Sequence, residues 1–434
     1  MSRPPVIIAA VLSAAMLLSS CGAAYAAASA SNRTESKTVF SQKTEAAQPS
    51  EPTSSTQTAD ADTQSVKDEV RALWITYSEL GTAFQSGNFK SAFDKMMDDC
   101  VGLGINTVYV HVRAFCDSFY PSDIFPWSKY AFDSNGRAPD FDPLEYMIKS
   151  AHSRSIGFHA WINPYRVSHT SSDFSKLSSD SPVTEWLSDD DSTNDDWAVA
   201  AEEGIYLDPA AEGVRRLVLD GVREIVDKYP LDGIHFDDYF YPTADESFDE
   251  GTYAAYRAAV SSHTMPLDDW RRANVNAMVA SVSACVRGKG LVFGISPAAN
   301  LELNYNEIYA DVYTWLDNGY LDYIIPQIYY GFNYPVDKYS YGSLLDEWVK
   351  LVNRRVPIYI GLGAYRIGDS KAAGGEEWCD PDTRVLADQI TALRESRCDG
   401  FCIFSYDSIM NDSSLATGER QAVQSLLSKS GDIK

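Results

Sequence analysis

Short apolar runs typical of buried β-strands recur along this chain and alternate with amphipathic stretches typical of helices. The runs cover residues 71–76, 107–113, 157–163, 233–237, 291–296, 323–329, 357–363 and 400–405. The helical patterns cover residues 89–103, 143–153, 211–228, 270–286, 308–316, 344–352, 383–396 and 419–429. The alternation predicts an α/β protein, and eight units favour a (β/α)8 TIM barrel. A doubly wound open sheet is the alternative, but no glycine-rich dinucleotide or phosphate-binding signature follows the first run.

Polar side chains occupy positions in these runs that should point into the barrel. If Val110 and Val112 face the helices, then His111 and Arg113 face the interior, because side chains alternate along a strand. Branched aliphatic side chains normally fill a TIM barrel, so polar groups near the strand ends predict a site at the carboxyl face. The same phase predicts that the following residues converge there: His111, Arg113, His159, Trp161, Asn163, His235, Asp237, Gln327 and Tyr329.

Carboxylates at this face are the candidate catalytic groups. Asp237 ends the fourth run with inward phase and is the first candidate, the alternative being a carboxylate that only pairs with a neighbouring cation. Asp238 is adjacent, so it can join Asp237 only if the strand ends between them. Asp407 follows the eighth run and is the third catalytic candidate, whereas Glu79 and Asp117 follow the first and second runs.

The composition narrows the classes of function. The chain has 434 residues and a formal net charge of -25, which argues against nucleic acid or anionic lipid as partners. Aromatic residues make up 12%, which agrees with a groove for sugar rings and also with a large core. There is no CxxC pair, HExxH motif or EF-hand loop, so the sequence predicts no metal and no other cofactor. An oxidising environment would permit a disulfide such as Cys100 to Cys116.

The first 20 residues read as an export signal. Arg3 and an apolar run too short to span a bilayer lead to Leu18-Ser19-Ser20-Cys21, which resembles the bacterial lipoprotein signal. The resemblance implies cleavage after residue 20 and lipidation of Cys21, whereas an ordinary signal peptide would be cut at a later alanine. Residues 21–66 are rich in Ala, Ser, Thr and Gln and predict a disordered linker, so residues 67–434 form the barrel domain. The predicted location is the cell surface or periplasm, with the lipid as the only membrane contact.

Several motifs are shared with one known family. They are Asp117-Ser118-Phe119-Tyr120-Pro121, Asp142-Pro143-Leu144, His159-Ala160-Trp161-Ile162-Asn163-Pro164-Tyr165-Arg166, Leu207-Asp208-Pro209, the stretch from Asp232 to Pro242, Trp270-Arg271-Arg272, Phe293-Gly294-Ile295-Ser296-Pro297 and Pro326-Gln327-Ile328-Tyr329. In this order, from about Glu69 to past Tyr406, the chain resembles the glycosyl hydrolase-like 10 family. The resemblance implies a TIM barrel, an exported lipoprotein and cleavage of bacterial cell-wall glycan.

We therefore expect a glycoside hydrolase that cleaves O-glycosidic bonds by carboxylate acid/base chemistry, in peptidoglycan or a related wall glycan containing N-acetylhexosamine. The strand at 232–237 also resembles that of chitinase-type barrels. Those enzymes place their acid glutamate where this chain has Asp238-Tyr239, so their acetamido-assisted mechanism does not carry over. Two other classes stay open. One is a glycan-binding lipoprotein without activity, and the other is a metal-dependent carbohydrate deacetylase that uses the strand histidines with Asp237.

The substrate-binding candidates are polar or aromatic side chains at the strand ends. Arg113 or Arg166 is expected to pair with the lactyl carboxylate of a muramic acid ring, because an acidic protein needs a local cation to accept an acidic group. The full set comprises Trp74, His111, Arg113, Asp117, His159, Asn163, Tyr165, Arg166, His235, Tyr239, Gln327 and Tyr329.

Overall fold

The computed structural model describes residues 69–201, 204–260 and 263–429. The predicted signal peptide, the lipidated Cys21 and the linker up to residue 66 lie outside these ranges and stay predictions. No helix within the described ranges is both long enough and apolar enough to cross a bilayer.

A parallel sheet forms the centre of the fold. The strands are β1 (Val70–Ile75), β2 (Thr107–Arg113), β3 (Gly157–Ile162), β4 (Arg166–Ser168), β5 (Ala198–Ala201), β6 (Gly204–Leu207), β7 (Gly233–Phe236), β8 (Val292–Ile295), β9 (Tyr323–Ile324), β10 (Tyr359–Gly363) and β11 (Gly400–Phe404). Eight of them lie side by side in the order β10-β11-β1-β2-β3-β7-β8-β9. Parallel bridges from Ile324 to Ile358 and from Gln327 to Gly361 close β9 onto β10. The predicted TIM barrel is confirmed, and each predicted run overlaps one barrel strand.

Helices follow the strands, as a TIM barrel requires. They are α1 (Tyr77–Gln85), α2 (Phe89–Leu103), α3 (Pro143–His152), α4 (Pro182–Trp186), α5 (Glu212–Lys228), α6 (Glu250–Ala259), α7 (Leu267–Arg287), α8 (Leu301–Asn306), α9 (Val312–Asp317), α10 (Tyr341–Val352), α11 (Glu376–Cys379), α12 (Val385–Glu395), α13 (Tyr406–Met410) and α14 (Ser414–Lys429). The sequence predicted the longer ones and missed α1, α4, α6, α8, α11 and α13. Most of these are too short for a helical period to be read.

A small antiparallel sheet is inserted between β3 and α5. Its strands lie in the order β4-β6-β5. The sequence did not predict it, because strands of three or four residues give no clear alternation of polar and apolar positions. The insertion begins at Arg166, only four residues after β3 ends at Ile162, so it holds this cation beside the carboxyl ends of the barrel strands.

Aromatic rings, rather than branched aliphatic side chains, fill much of the barrel interior. Trp74, Tyr109, Trp161 and Tyr323 form a buried cluster there. Gly294 on the adjacent strand leaves room for one of them: it pairs with Tyr323, and a Cβ at Gly294 would lie 2.2 Å from that ring. A small residue thus lies beside a large one, as close packing requires.

The cysteines of the described ranges are free thiols. Cys100, Cys116 and Cys402 are buried, and burial raises the pKa of the Cys116 thiol to about 12. The disulfide between Cys100 and Cys116 that the sequence permits is not formed. Both residues pack in the main apolar core as small side chains.

Candidate active site

Two carboxyl groups lie together at the end of β7. The strand ends at Phe236, and the chain bends at Asp238, so the strict alternation of a strand no longer separates Asp237 from Asp238. Each residue is only 3% exposed. The charge of Asp237 raises the pKa of Asp238, in addition to the larger effect of burial. The strand ends before both residues rather than between them, so their joint catalytic role stays a prediction.

Hydrogen bonds from the end of the neighbouring strand β3 orient Asp237. Trp161 Nε1 donates to Asp237 Oδ2 at 2.8 Å, and Asn163 Nδ2 lies 3.5 Å from the same oxygen. The backbone N–H of Tyr239 lies 3.4 Å from Asp237 Oδ1. Burial raises the pKa of Asp237 to about 6, against the opposing effects of the Arg166 charge and the Trp161 hydrogen bond. The carboxylate is thus oriented by the predicted neighbour Asn163 and by the inward-facing Trp161.

Asp238 is the more weakly acidic member of the pair. Burial and then the charge of Asp237 raise its pKa to about 8, while a hydrogen bond from Gln327 opposes the shift. Gln327 is itself positioned by donating Nε2 to the carbonyl oxygen of Ser296 at 2.8 Å. Burial raises the pKa of both groups, and the charge of Asp237 raises that of Asp238 further, so the pair is suited to act as one acid and one carboxylate.

Arg166 supplies the positive charge of the site. Its guanidinium lies between two rings, 4.7 Å from the centre of Phe115 and 4.5 Å from that of Tyr239. Its Nε donates to the carbonyl oxygen of Ala114 at 3.3 Å. The charge of Arg166 lowers the pKa of both carboxyl groups, although burial outweighs it in each case. Arg166 therefore acts electrostatically on both carboxyl groups, and its predicted pairing with a substrate carboxylate stays a prediction.

His111 supports the tryptophan that holds Asp237. Its ring stacks on Trp161 at 3.8 Å between centroids, with the planes 10° apart. Burial, followed by the charge of Arg166, lowers the pKa of His111 well below its usual range, so the imidazole is neutral. Stacking of this kind limits the rotation of the indole and therefore the direction of its N–H.

The other two strand histidines lie inside the barrel in a closed hydrogen-bond network. His159 Nδ1 and His235 Nδ1 lie 3.1 and 3.2 Å from the hydroxyl of Tyr323. Trp74 Nε1 donates to His235 Nε2 at 3.3 Å, and Ser296 Oγ lies 3.1 Å from the same nitrogen. Across the described residues, no group of three or more His, Cys, Asp or Glu side chains is arranged to hold a metal ion. The donor set of the deacetylase alternative is therefore not brought together.

The inward orientation predicted for Arg113 is wrong. Its guanidinium carbon lies 4.2 Å from the centre of the Phe125 ring, and the side chain packs against Gly221 of the outer helix α5. The cause is an irregularity in β2. His111 pairs with Trp161 and Arg113 with the next residue of β3, so one extra residue in β2 reverses the alternation.

Three further substrate-binding candidates have contacts that keep them from presenting a free face to a sugar. Tyr165 is 1% exposed and belongs to the main apolar core. Trp74 is 2% exposed inside the barrel. Asp117 is buried, and its Oδ1 accepts the backbone N–H of Phe115 at 3.1 Å, so it orders the loop after β2.

Asp407 is not brought to the carboxylate pair. Its side chain is exposed at the start of α13, and its backbone N–H donates to Glu79 Oε1 at 2.7 Å. Glu79 is buried and also accepts the hydroxyl of Ser405 at 2.6 Å and the N–H of Thr76 at 2.5 Å. Glu79 thus caps α1 and joins it to the chain after β11.

Aromatic groups that the sequence did not single out lie at both edges of the site. Beside Arg166, the rings of Phe115 and His169 stack at 4.9 Å, and Tyr77 meets Phe115 edge-on at 4.8 Å. On the opposite side, Phe404 packs 5.6 Å from Tyr329. Phe404 ends β11 with the inward phase of Cys402, which is a signal that could have identified it. Phe115 and His169 lie outside the strands, where no periodic pattern could have identified them.

Comparison with known proteins agrees with this architecture. Residues 69–380 match the model of the family described as Glycosyl hydrolase-like 10. Glycosyl hydrolase YngK of Bacillus subtilis is 35% identical over 357 residues, covering 75% of this chain and 66% of the relative, which is just under two thirds of its length. Glycosyl hydrolase DigH of Escherichia coli K12 is 32% identical over 346 residues, covering 71% of this chain and 76% of the relative.

Solved structures support the fold. The glycoside hydrolase domain of PgaB (BpsB) from Bordetella bronchiseptica has a TM-score of 0.52 at 13% identity and covers 82% of this chain and 99% of that domain. The catalytic domain of β-amylase from Paenibacillus polymyxa has a TM-score of 0.51 at 11% identity, covering 82% and 98%. At such low identity these likenesses concern the fold alone. The family match over residues 69–380 and the two relatives show the family as well: the chain belongs to the glycosyl hydrolase-like 10 family.

Proposed function

We propose that this protein is a glycoside hydrolase that cleaves bacterial cell-wall glycan from a lipid anchor on the exported side of a membrane. The observation that carries the activity is the pair of buried carboxyl groups, Asp237 and Asp238, whose environments give them different pKa values. Glycoside hydrolysis needs one carboxylic acid and one carboxylate at the scissile bond. Two titratable groups with separated pKa values are the usual basis for such a division of roles.

In the proposed reaction Asp238 is the acid. It donates its proton to the glycosidic oxygen as the bond from that oxygen to the anomeric carbon breaks. Asp237 is ionised and stabilises the positive charge that develops on the sugar ring. Water then supplies the hydroxyl of the new reducing end and returns a proton to the pair. Trp161 and Asn163 keep Asp237 oriented through both steps.

The proposed substrate is peptidoglycan or a related polymer containing N-acetylhexosamine. Arg166 supports this choice because it places a buried cation beside the carboxyl groups of a protein whose formal net charge is -25. An arginine can form two parallel hydrogen bonds to a carboxylate such as the lactyl group of muramic acid. The lipoprotein signal that ends at Cys21 would tether the domain beside the wall.

The activity is tested with three single variants of the full-length protein. Asp237→Asn and Asp238→Asn keep the shape and remove the charge, so each should slow glycan cleavage by about a hundredfold or more. Asp407→Asn is the control, because it alters an exposed carboxylate at the same end of the barrel. Products from peptidoglycan, peptide-free glycan strands, chitin oligomers and xylan are identified by mass spectrometry.

Each outcome separates the candidate functions. Cleavage of wall glycan that is lost in Asp237→Asn and kept in Asp407→Asn supports the proposal. If only Asp407→Asn loses cleavage of wall glycan, Asp407 is the catalytic carboxylate instead. Binding without products from the wild-type protein would favour the glycan-binding lipoprotein, and release of xylan fragments alone would exclude the wall glycan as substrate.

A further inference from the structure

An exposed tyrosine stands at the mouth of the barrel, outside every set of residues discussed so far. Tyr365 is 41% exposed, although large apolar and aromatic side chains are mostly buried in this fold. It lies in the short turn Ala364–Arg366, which begins directly after β10. It therefore stands at the carboxyl ends of the strands, on the same face as the carboxylate pair.

A chain of aromatic contacts connects Tyr365 to the site. Its ring is nearly perpendicular to those of Tyr329 and Phe404, with centroids 5.7 and 6.0 Å away. Phe404 in turn meets Trp161 at 6.5 Å, and Trp161 donates its N–H to Asp237. The exposed ring thus continues the aromatic wall that surrounds the carboxyl groups.

Arg366 holds this ring in place. Its guanidinium carbon lies 4.9 Å from the centre of Tyr365, so the cation covers one face of the ring. Arg366 Nε is directed at the carbonyl oxygen of Tyr329 at 3.4 Å, and its NH1 lies 3.7 Å from Asp369. An ordered ring with an exposed face costs little conformational entropy when a ligand stacks on it.

The two sides of the site differ in charge. On the β3 side, Arg166 lowers the pKa of Asp237 more than any other group does, against the larger effect of burial. On the β10 side, burial is the main cause that raises the pKa of Tyr365 and of Tyr329, and the charge of Asp238 contributes to both. The cation of that side, Arg366, is already committed to the ring and to Asp369. The surface on the Tyr365 side is therefore aromatic, and its cation, Arg366, is held by contacts within the protein.

We propose that Tyr365 is the stacking platform of a subsite for an uncharged pyranose ring on the Asp238 side of the cleft. Pyranose rings present apolar C–H faces that pack on aromatic rings, and their hydroxyl groups stay at the rim. A glycan of alternating neutral and acidic sugars then binds with a neutral ring on Tyr365 and an acidic ring toward Arg166. This inference rests on the proposed function and adds the orientation of the substrate.

The test measures binding and cleavage separately. Calorimetry follows the binding of chitin oligomers and peptide-free glycan strands to full-length protein that carries Asp237→Asn. Adding Tyr365→Ala should weaken binding of both glycans about tenfold, or about 1.4 kcal/mol, because the stacking face is lost. Tyr365→Phe should stay within about twofold of the parent, since the ring is kept. In the otherwise wild-type protein, Tyr365→Ala should raise KM more than it lowers kcat.

Tyr313→Ala is the matched control. Tyr313 is 43% exposed and also meets a neighbouring ring, Tyr305, edge-on at 6.1 Å, but it lies on α9. The Tyr313→Ala variant should bind both glycans as tightly as the parent protein does. The proposed stacking role of Tyr365 is wrong if Tyr365→Ala binds glycan as the parent does. It is also wrong if Tyr365→Ala and Tyr313→Ala lose the same amount of affinity. If the wild-type protein cleaves no glycan but Tyr365→Ala still weakens binding, the platform stands and the proposed hydrolase activity fails.

Discussion

Replacing Asp238 with Asn should abolish activity and also make the protein more stable at alkaline pH. The carboxyl group of Asp238 is 3% exposed and lies beside Asp237, so its ionised form is disfavoured in the folded protein. Asparagine has nearly the same shape and is uncharged at every pH. The variant therefore removes an electrostatic cost that the wild-type protein bears only when Asp238 ionises.

The magnitude follows from the pKa. Burial and the charge of Asp237 raise the pKa of Asp238 from 3.8 to about 8. A carboxyl group with a raised pKa stabilises the fold fully below its unfolded pKa, and that contribution is lost as pH rises through the folded pKa. About four units at about 1.4 kcal/mol each give roughly 6 kcal/mol as an upper limit between pH 4 and pH 8. Buried sites in proteins behave as if their effective dielectric constant were well above that of a dry interior, so we expect about 2–3 kcal/mol.

The assay is urea unfolding followed by tryptophan fluorescence at pH 4.5, 6 and 8, after reversibility has been checked. The quantity compared is the free energy of unfolding of Asp238→Asn minus that of the wild-type protein. This difference should increase steadily with pH. Activity on wall glycan is measured on the same preparations, so that the gain in stability and the loss of turnover are assigned to the same change.

Asp346→Asn is the control, because Asp346 is an exposed carboxylate on α10, away from the strand ends. The free energy of unfolding of Asp346→Asn minus that of the wild-type protein should not rise with pH, because an exposed carboxylate bears no burial cost. A flat difference for Asp238→Asn would refute the reasoning, because it would mean that Asp238 ionises as easily in the folded as in the unfolded chain. If the free-energy difference for Asp238→Asn falls as pH rises, a nearby cation stabilises the ionised carboxylate of Asp238.

Three other predictions concern residues outside the site. Asp249→Asn should lower the free energy of unfolding by about 3–5 kcal/mol in urea unfolding, because it leaves the fully buried guanidinium of Arg271 without its ion pair. Gly294→Ala should cost about 1–3 kcal/mol in the same assay, since its Cβ would meet the ring of Tyr323. Cys21→Ala should release the protein from isolated membranes, as followed by fractionation and immunoblotting, and retention with unchanged mobility would contradict the lipid anchor.

The period of the strands was sufficient to predict the fold and much of the carboxyl face. Asp237 and Asn163 lie where the inward phase of their strands placed them, because their strands are regular up to the last residue. The same rule failed for Arg113, because one extra residue in β2 reverses the phase. Such an irregularity depends on pairing with β3 and leaves no mark in the sequence of β2 alone.

Residues in loops could not be predicted in this way. Arg166 was identified from a motif, but its position between Phe115 and Tyr239 depends on the short sheet that follows β3. Asp407 was a reasonable candidate from its place after the last strand, but its side chain is exposed and its backbone N–H donates to Glu79. Tyr365 lies in a three-residue turn whose direction is set by tertiary packing.

The position of β11 has a consequence for how the chain folds. β11 is the last strand in the sequence, but it lies between β10 and β1, the first strand. The edge of β1 therefore stays unpaired until residues 400–404 are available, and its free N–H and C=O groups can pair with another chain in the meantime. Contacts that span more than three hundred residues, such as Ser405 to Glu79, also make closure slow. A chain truncated before residue 400 should therefore aggregate rather than form a seven-stranded barrel.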